Sequence, residues 1–253
     1  MKIMSNASEI IFSNYGIYDL EDDLELFLPN TSMKFHRISD NAFSYFRKNS
    51  EGKIIEKIIP VKSSSVKIEL APIRPLNHPA RRTSHIFLKF DKEIYLSENS
   101  AASIFVRCPI EIGVFLIQGS NHDSLDWVTC NPLNSRFGLY GPPDTGTLCK
   151  YAEVQLATDY DDSNSYVEGV MQIVVENTLS FGQSISKVIF PISDNVLYYQ
   201  DSKTIIDGIQ ITMKKRAAVN IADVKTISLE TDWSMSPTWE HKTASTHMEM
   251  GLE

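Results

Sequence analysis

Cys108-Pro-Ile-Glu-Ile-Gly-Val-Phe-Leu-Ile117 is the segment from which the architecture of this chain can be read. It is short, apolar, and rich in β-branched and aromatic residues, which suits a pleated and buried strand. Alternation puts Glu111, Gly113 and Phe115 on one face and Ile110, Ile112 and Val114 on the other. Glu111 lies in the longest nearly apolar run, Ile110 to Ile117, which is far too short to cross a bilayer as a helix. A carboxylate in such a strand needs a partner, and Lys150 or Arg107 can supply the charge.

The same two-residue period recurs outward from this point. Residues 170–175 are apolar on both faces apart from Gln172, as in a central strand. In 204–214, Ile205, Ile209, Ile211 and Met213 share a face, as in a half-buried strand. In 184–191, Val188 and Phe190 oppose Ile185 and Ile189. Further strands are expected over 53–59, 65–71, 85–90, 102–107, 110–117, 125–130, 147–158 and 225–231. Gly- and Asn-rich turns punctuate these runs at short intervals, among them Pro29-Asn30, Asn49-Ser-Glu-Gly52 and Gly119-Ser-Asn-His122. No amphipathic helix longer than three turns is visible. Asp19 to Leu28 comes nearest and reads better as strand or irregular chain. The expectation is an all-β protein, a β-sandwich of immunoglobulin-like or jelly-roll-like kind with a smaller N-terminal β-unit.

Pro72-Ile-Arg-Pro-Leu-Asn-His-Pro79 marks a boundary, because prolines at this density do not fit a central strand. It divides an N-terminal β-unit, 1–78, from a larger sandwich, 83–253, or else crosses over inside one continuous domain. The tail after Ser234 reads as a last edge strand.

Composition is ordinary for a globular chain, with 42% hydrophobic and 22% charged residues. Lys and Arg total 24 against 32 acids, a net charge of -8, which repels phosphate backbones and argues against nucleic acid as a partner. Cys108, Cys130 and Cys149 form neither a disulfide framework nor a zinc pattern. With no apolar leader at the N-terminus, the expected setting is cytoplasmic and not transmembrane. No cofactor or metal site is expected: His122, Asp123 and Asp126 cluster locally, and Asp159, Asp161 and Asp162 read as a solvated turn without calcium-loop spacing.

Asp144-Thr145-Gly146 spells an aspartic-protease signature. Gly141-Pro142-Pro143 stand where an apolar strand should deliver the Asp, so a β-turn with Gly146 at positive φ is the better reading. The same Gly141-to-Gly146 spacing imitates a phosphate loop, but Thr147 and Leu148 replace the Lys and Ser/Thr that would hold phosphate and magnesium. Cys130 with His122 and Asp126 is a conceivable nucleophile group that depends on their meeting in space.

The order of Pro109-Ile-Glu-Ile-Gly-Val-Phe115, Phe137-Gly-Leu-Tyr-Gly141, Gly146, Lys150-Tyr151, Glu168-Gly-Val170, Glu176-Asn177, Val188-Ile-Phe-Pro191, Tyr198-Tyr199 and Met248-Glu-Met-Gly251 resembles the archaeal family called domain of unknown function 432. The resemblance spans residues 10 to 251 and implies no activity. The association of such genes with mechanosensitive-channel genes implies a regulatory role beside a membrane-protein partner. The leading expectation is a non-enzymatic interaction module that binds a protein partner, or self-associates, through a sheet edge or aromatic rim. The alternative is a β-sandwich that binds a small molecule or carbohydrate, or hydrolyses one, with Glu111, Tyr140, Asp144 and Lys150 around a pocket.

Overall fold

The computed structural model describes residues 11–62, 66–76, 83–130, 136–217 and 219–240. In chain order the first strands are β1 (Gly16–Leu20), β2 (Asp23–Leu28), β3 (Thr31–Ser39), β4 (Ala42–Asn49), β5 (Ile54–Pro60) and β6 (Val66–Ile73). Next come β7 (His85–Leu96), β8 (Ser100–Pro109), β9 (Glu111–Gln118), β10 (Asn121–Val128), β11 (Arg136–Tyr140), β12 (Thr147–Val154) and β13 (Leu156–Ala157). The last are β14 (Glu168–Asn177), β15 (Gln183–Pro191), β16 (Leu197–Gln200), β17 (Lys203–Arg216), β18 (Val219–Ile227) and β19 (Ser234–Met235). A single 3₁₀ turn, Ile192–Asp194, is the only helical element among the described residues. The all-β expectation holds.

Four sheets result. β2-β3-β4-β5 is a meander, and β1-β6-β9-β10 covers it. Leu26, Met33, Phe35, Phe43 and Tyr45 from the meander share one buried core with Ile68, Leu70, Ile112 and Val114. The third sheet runs β11-β12-β7-β15 and the fourth β13-β8-β14-β17-β16-β19, with β18 also on β17. Ile86, Leu88, Val188 and Phe190 from the third share a second core with Val106, Met171, Ile173 and Ile209 from the fourth. Stacked sheets of this kind hide the inward set of each alternating strand, which is why periodicity alone located most of them.

The opening segment belongs to both cores. Cys108 and Ile110 are buried in the second, and Ile112, Val114 and Leu116 in the first. Between them β8 passes directly into β9, and the Ile110 N–H is held by the Val167 carbonyl at 3.1 Å. β9 pairs on both sides, with β6 and with β10, so it is central to its sheet. Gly113 is required there: a Cβ would sit 2.6 Å from the Phe115 ring and 2.9 Å from Ile73. β9 and β10, which follow the proline-rich segment, thus complete a sheet begun by β1 and β6.

Several local expectations need correction. Pro72 lies inside β6, opposite Ile112. β1 flanks β6 only as far as Leu70, so beyond that point one side of β6 is unpaired and a missing N–H is tolerated. Residues 77–82 and the Met248–Gly251 motif fall outside the described residues. In β17, Ile206 rather than Ile205 shares the second core with Ile209, Ile211 and Met213, although Ile205 is buried as well. The cause is a bulge: Met171 and Ile173 of β14 face Ile206 and Ile209, so β17 carries one extra residue and its pattern slips by one. At the β11–β12 turn, Gly141 and not Gly146 takes the positive φ, +101°. Gly146 is needed for close approach instead, since a Cβ would lie 2.6 Å from the Pro142 carbonyl oxygen that its own N–H contacts at 2.7 Å.

Candidate functional site

β12 brings Lys150 to Glu111. The lysine Nζ donates to Oε1 at 3.0 Å, and the two side chains are 12% and 3% exposed. β12 lies in the third sheet and β9 in the covering sheet of the first pair, so this ion pair fastens one to the other. The other two residues read from sequence do not join it. Tyr140 pairs with Thr147 while Lys150 pairs with Phe137, so alternation sends Tyr140 to the opposite face of the β11–β12 ladder. Asp144 stands exposed at the tip of the turn. Neither Glu111 nor Lys150 lines either of the two concavities described below.

The larger concavity is a groove of about 660 Å³ between β15 and the β17–β18 ribbon. Small-molecule sites span a comparable range. One wall is β15, all of whose residues from Gln183 to Pro191 contribute. Successive strand residues point to opposite faces, so a groove lined by every one of them runs along the strand edge. The opposite wall carries Ile211, Met213, Ile221, Ala222 and Val224, and Tyr140, His85 and Thr147 close one end. Lys187 is the one lysine in the lining, which contains neither Asp nor Glu although the chain carries 32 of them.

Among the described residues β15 pairs only with β7. The phase of that ladder follows from the Ile192 N–H, which bonds to Ser84 O. Antiparallel ladders alternate, so Phe190 and Val188 also direct their backbone groups toward β7. Lys187 and Ile189 therefore direct N–H and C=O outward into the groove, and Pro191 adds a carbonyl without an N–H.

Two buried polar networks had no signature in the sequence. In the first, Asp126 accepts from the Tyr45 hydroxyl at 2.8 Å and from the Trp127 N–H at 2.9 Å, and its Oδ2 lies 2.8 Å from Arg47 Nε. In the second, the Tyr199 hydroxyl donates to Glu69 Oε1 at 2.9 Å, and His122 Nδ1 lies 3.0 Å from Oε2. His122 and Asp126 are thus committed to different partners. Cys130 is buried, and desolvation pushes its thiol up to about 12, so it is protonated and a poor nucleophile. In the acidic 159–162 run, Asp159 accepts the Asp161 and Asp162 N–H groups and Asp162 pairs with Arg107, which makes it a self-bonded turn.

Burial holds the Glu69 carboxyl above its ordinary value of 4.5, opposed by the Tyr199 hydrogen bond and the His122 contact. The native state therefore grips this proton more tightly than the unfolded chain does. Its contribution to stability is complete in acid and is lost as pH rises through the window above 4.5. Urea midpoints of the wild type relative to Glu69→Gln should accordingly fall as pH is raised from about 4 toward 7, whereas parallel curves would show that Glu69 is not perturbed.

The fold and groove define an all-β scaffold with an open sheet edge beside an apolar cleft. The chain belongs to the family described as "Protein of unknown function (DUF432)", whose model matches residues 14–252. No curated protein and no solved structure matches it. No helix among the described residues is long and apolar enough to cross a membrane.

Proposed function

We propose that this protein is a non-enzymatic recognition module that binds an extended segment of another protein along the free edge of β15. The observation that carries the reading is the register: Lys187 and Ile189 present outward N–H and C=O groups to a groove with apolar walls. Main-chain bonding to such an edge gives affinity, and pockets for alternate side chains give selectivity. Lys187 and Pro191 on the edge are features that discourage indiscriminate pairing. The channel-gene association implied by the family resemblance makes a membrane protein the first partner to try. Of the four residues proposed for a small-molecule site, Tyr140 alone lines the groove. We also infer that the 1–78 and 83–253 units act as one body, because β9 completes the first sheet and Glu111–Lys150 bridges to the third.

Ile189→Pro tests the reading. It removes an outward N–H, leaves the bonds to β7 in place, and proline is tolerated on edges. Retention of extended peptides or of a membrane-protein partner by the immobilised full chain should weaken about tenfold, with the melting temperature little changed. Equal retention by wild type and Ile189→Pro would remove strand addition as the mode of binding.

A further inference from the structure

A second, smaller pocket of about 140 Å³ lies where the chain leaving β6 passes under β16 and β19. Its walls are largely apolar, with Pro72, Ile73, Leu197, Met235 and Trp239 in the lining together with Arg74. An engineered cavity of similar volume holds a benzene ring.

Arg74 is a partly buried cation with one side-chain hydrogen bond among the described residues: its Nε donates to the Asn195 carbonyl at 2.9 Å. Among the described residues no carboxylate reaches ion-pair distance of it. Asp194 and Asp207 are the acids that act on it electrostatically. Asp207 is engaged elsewhere, since Oδ2 accepts the Val196 N–H and Oδ1 the Leu229 N–H, both at 2.9 Å. Those two bonds hold the fork at which β17 exchanges β16 for β18 as its neighbour. Asp207 therefore has a structural duty, Asp194 is exposed, and the Nη groups of Arg74, a lining residue of the pocket, make no hydrogen bond to a described residue. Guanidinium stays charged at any physiological pH, and its donors are arranged in a fork that matches a carboxylate.

We propose that this pocket binds a small organic carboxylate, with the acid group on the Arg74 fork and an apolar body of about one aromatic ring against Leu197, Met235 and Trp239. The site is separate from the β15 groove, with which it shares no lining residue. An anion here completes a desolvated cation, and burial already draws the Arg74 pKa below its ordinary value.

Benzoate is the probe and benzamide its uncharged counterpart of the same shape, each titrated calorimetrically into the full chain. The wild-type chain should bind benzoate saturably, with the Kd on the order of 1 mM expected of so small a ligand. Benzamide should bind at least about tenfold more weakly, and Arg74→Met should lose benzoate to a similar extent. Arg74→Lys keeps the cation without the fork, so it should retain weakened binding and decides the matter if Arg74→Met does not fold. No saturable heat from benzoate with wild type, or equal affinity for benzamide, overturns the proposal. Either result leaves strand addition at β15 untouched.

Discussion

Replacing Lys150 with Ala should lower the unfolding free energy by about 3–5 kcal/mol, because it removes the cation 3.0 Å from the buried Glu111 carboxylate. Both side chains are almost wholly enclosed, at 12% and 3% exposure, so solvent cannot take over the lost interaction. The size of this effect does not mean that the pair is a large net source of stability. Desolvation of two charges offsets most of their attraction, so Glu111→Leu combined with Lys150→Met should recover most of the loss. Chemical denaturation of the wild type, both single variants and the double variant closes the cycle. Additive effects would mean that the two side chains are independent, contrary to the 3.0 Å contact.

Asp126→Ala should be of similar size, about 3–5 kcal/mol. It strands the Arg47 guanidinium, 12% exposed, and leaves the Tyr45 hydroxyl without its acceptor. Tyr45 is packed in the first core with its ring 4.9 Å from that of Phe35, so it cannot swing out to water. Burial, followed by the neighbouring Asp126 charge, pushes its phenol well above the ordinary value, so it remains a donor throughout the working pH range. Asp126→Asn should cost less, since the amide oxygen still accepts from Tyr45 while the charge pairing with Arg47 is lost. Near-equal losses in the Ala and Asn variants would show that charge, and not hydrogen bonding, is what the site requires.

How much of this was legible beforehand depended on the range of the interaction. β14 and β15 announced themselves by alternation, and the neighbours of β14 on both sides explain its two apolar faces. β7 extends to Leu96, beyond the expected 85–90, because its second half carries Asp91, Lys92 and Glu93 and lacks an apolar pattern. β3 and β4 were not expected at all. Met33 and Phe35, then Phe43 and Tyr45, are the inward pairs that would have revealed them. β18 starts at Val219 rather than 225 because a tight reversal at Ala217, φ 55°, folds it back on β17.

The candidate site was less legible. Lys150 was one of two cations named for Glu111, and charge balance was enough to name it. Tyr140 and Asp144 are close to Lys150 in sequence, yet strand alternation and the turn carry them elsewhere. The groove depends on an edge that no local pattern marks, because an unpaired strand reads like a paired one until its neighbours are known. Glu69 and Tyr199 lie on strands far apart in the chain, and only the stacking of sheets joins them.

The passage of one extended segment through both interiors has a kinetic consequence. Its partners come from early and late in the chain, with β6 on one flank of β9 and β14 alongside β8. Neither hydrophobic interior can close until that segment is laid down, and the pairings involved enclose long loops whose closure is entropically expensive. Refolding should therefore be slow, and the two halves should appear in a single kinetic phase.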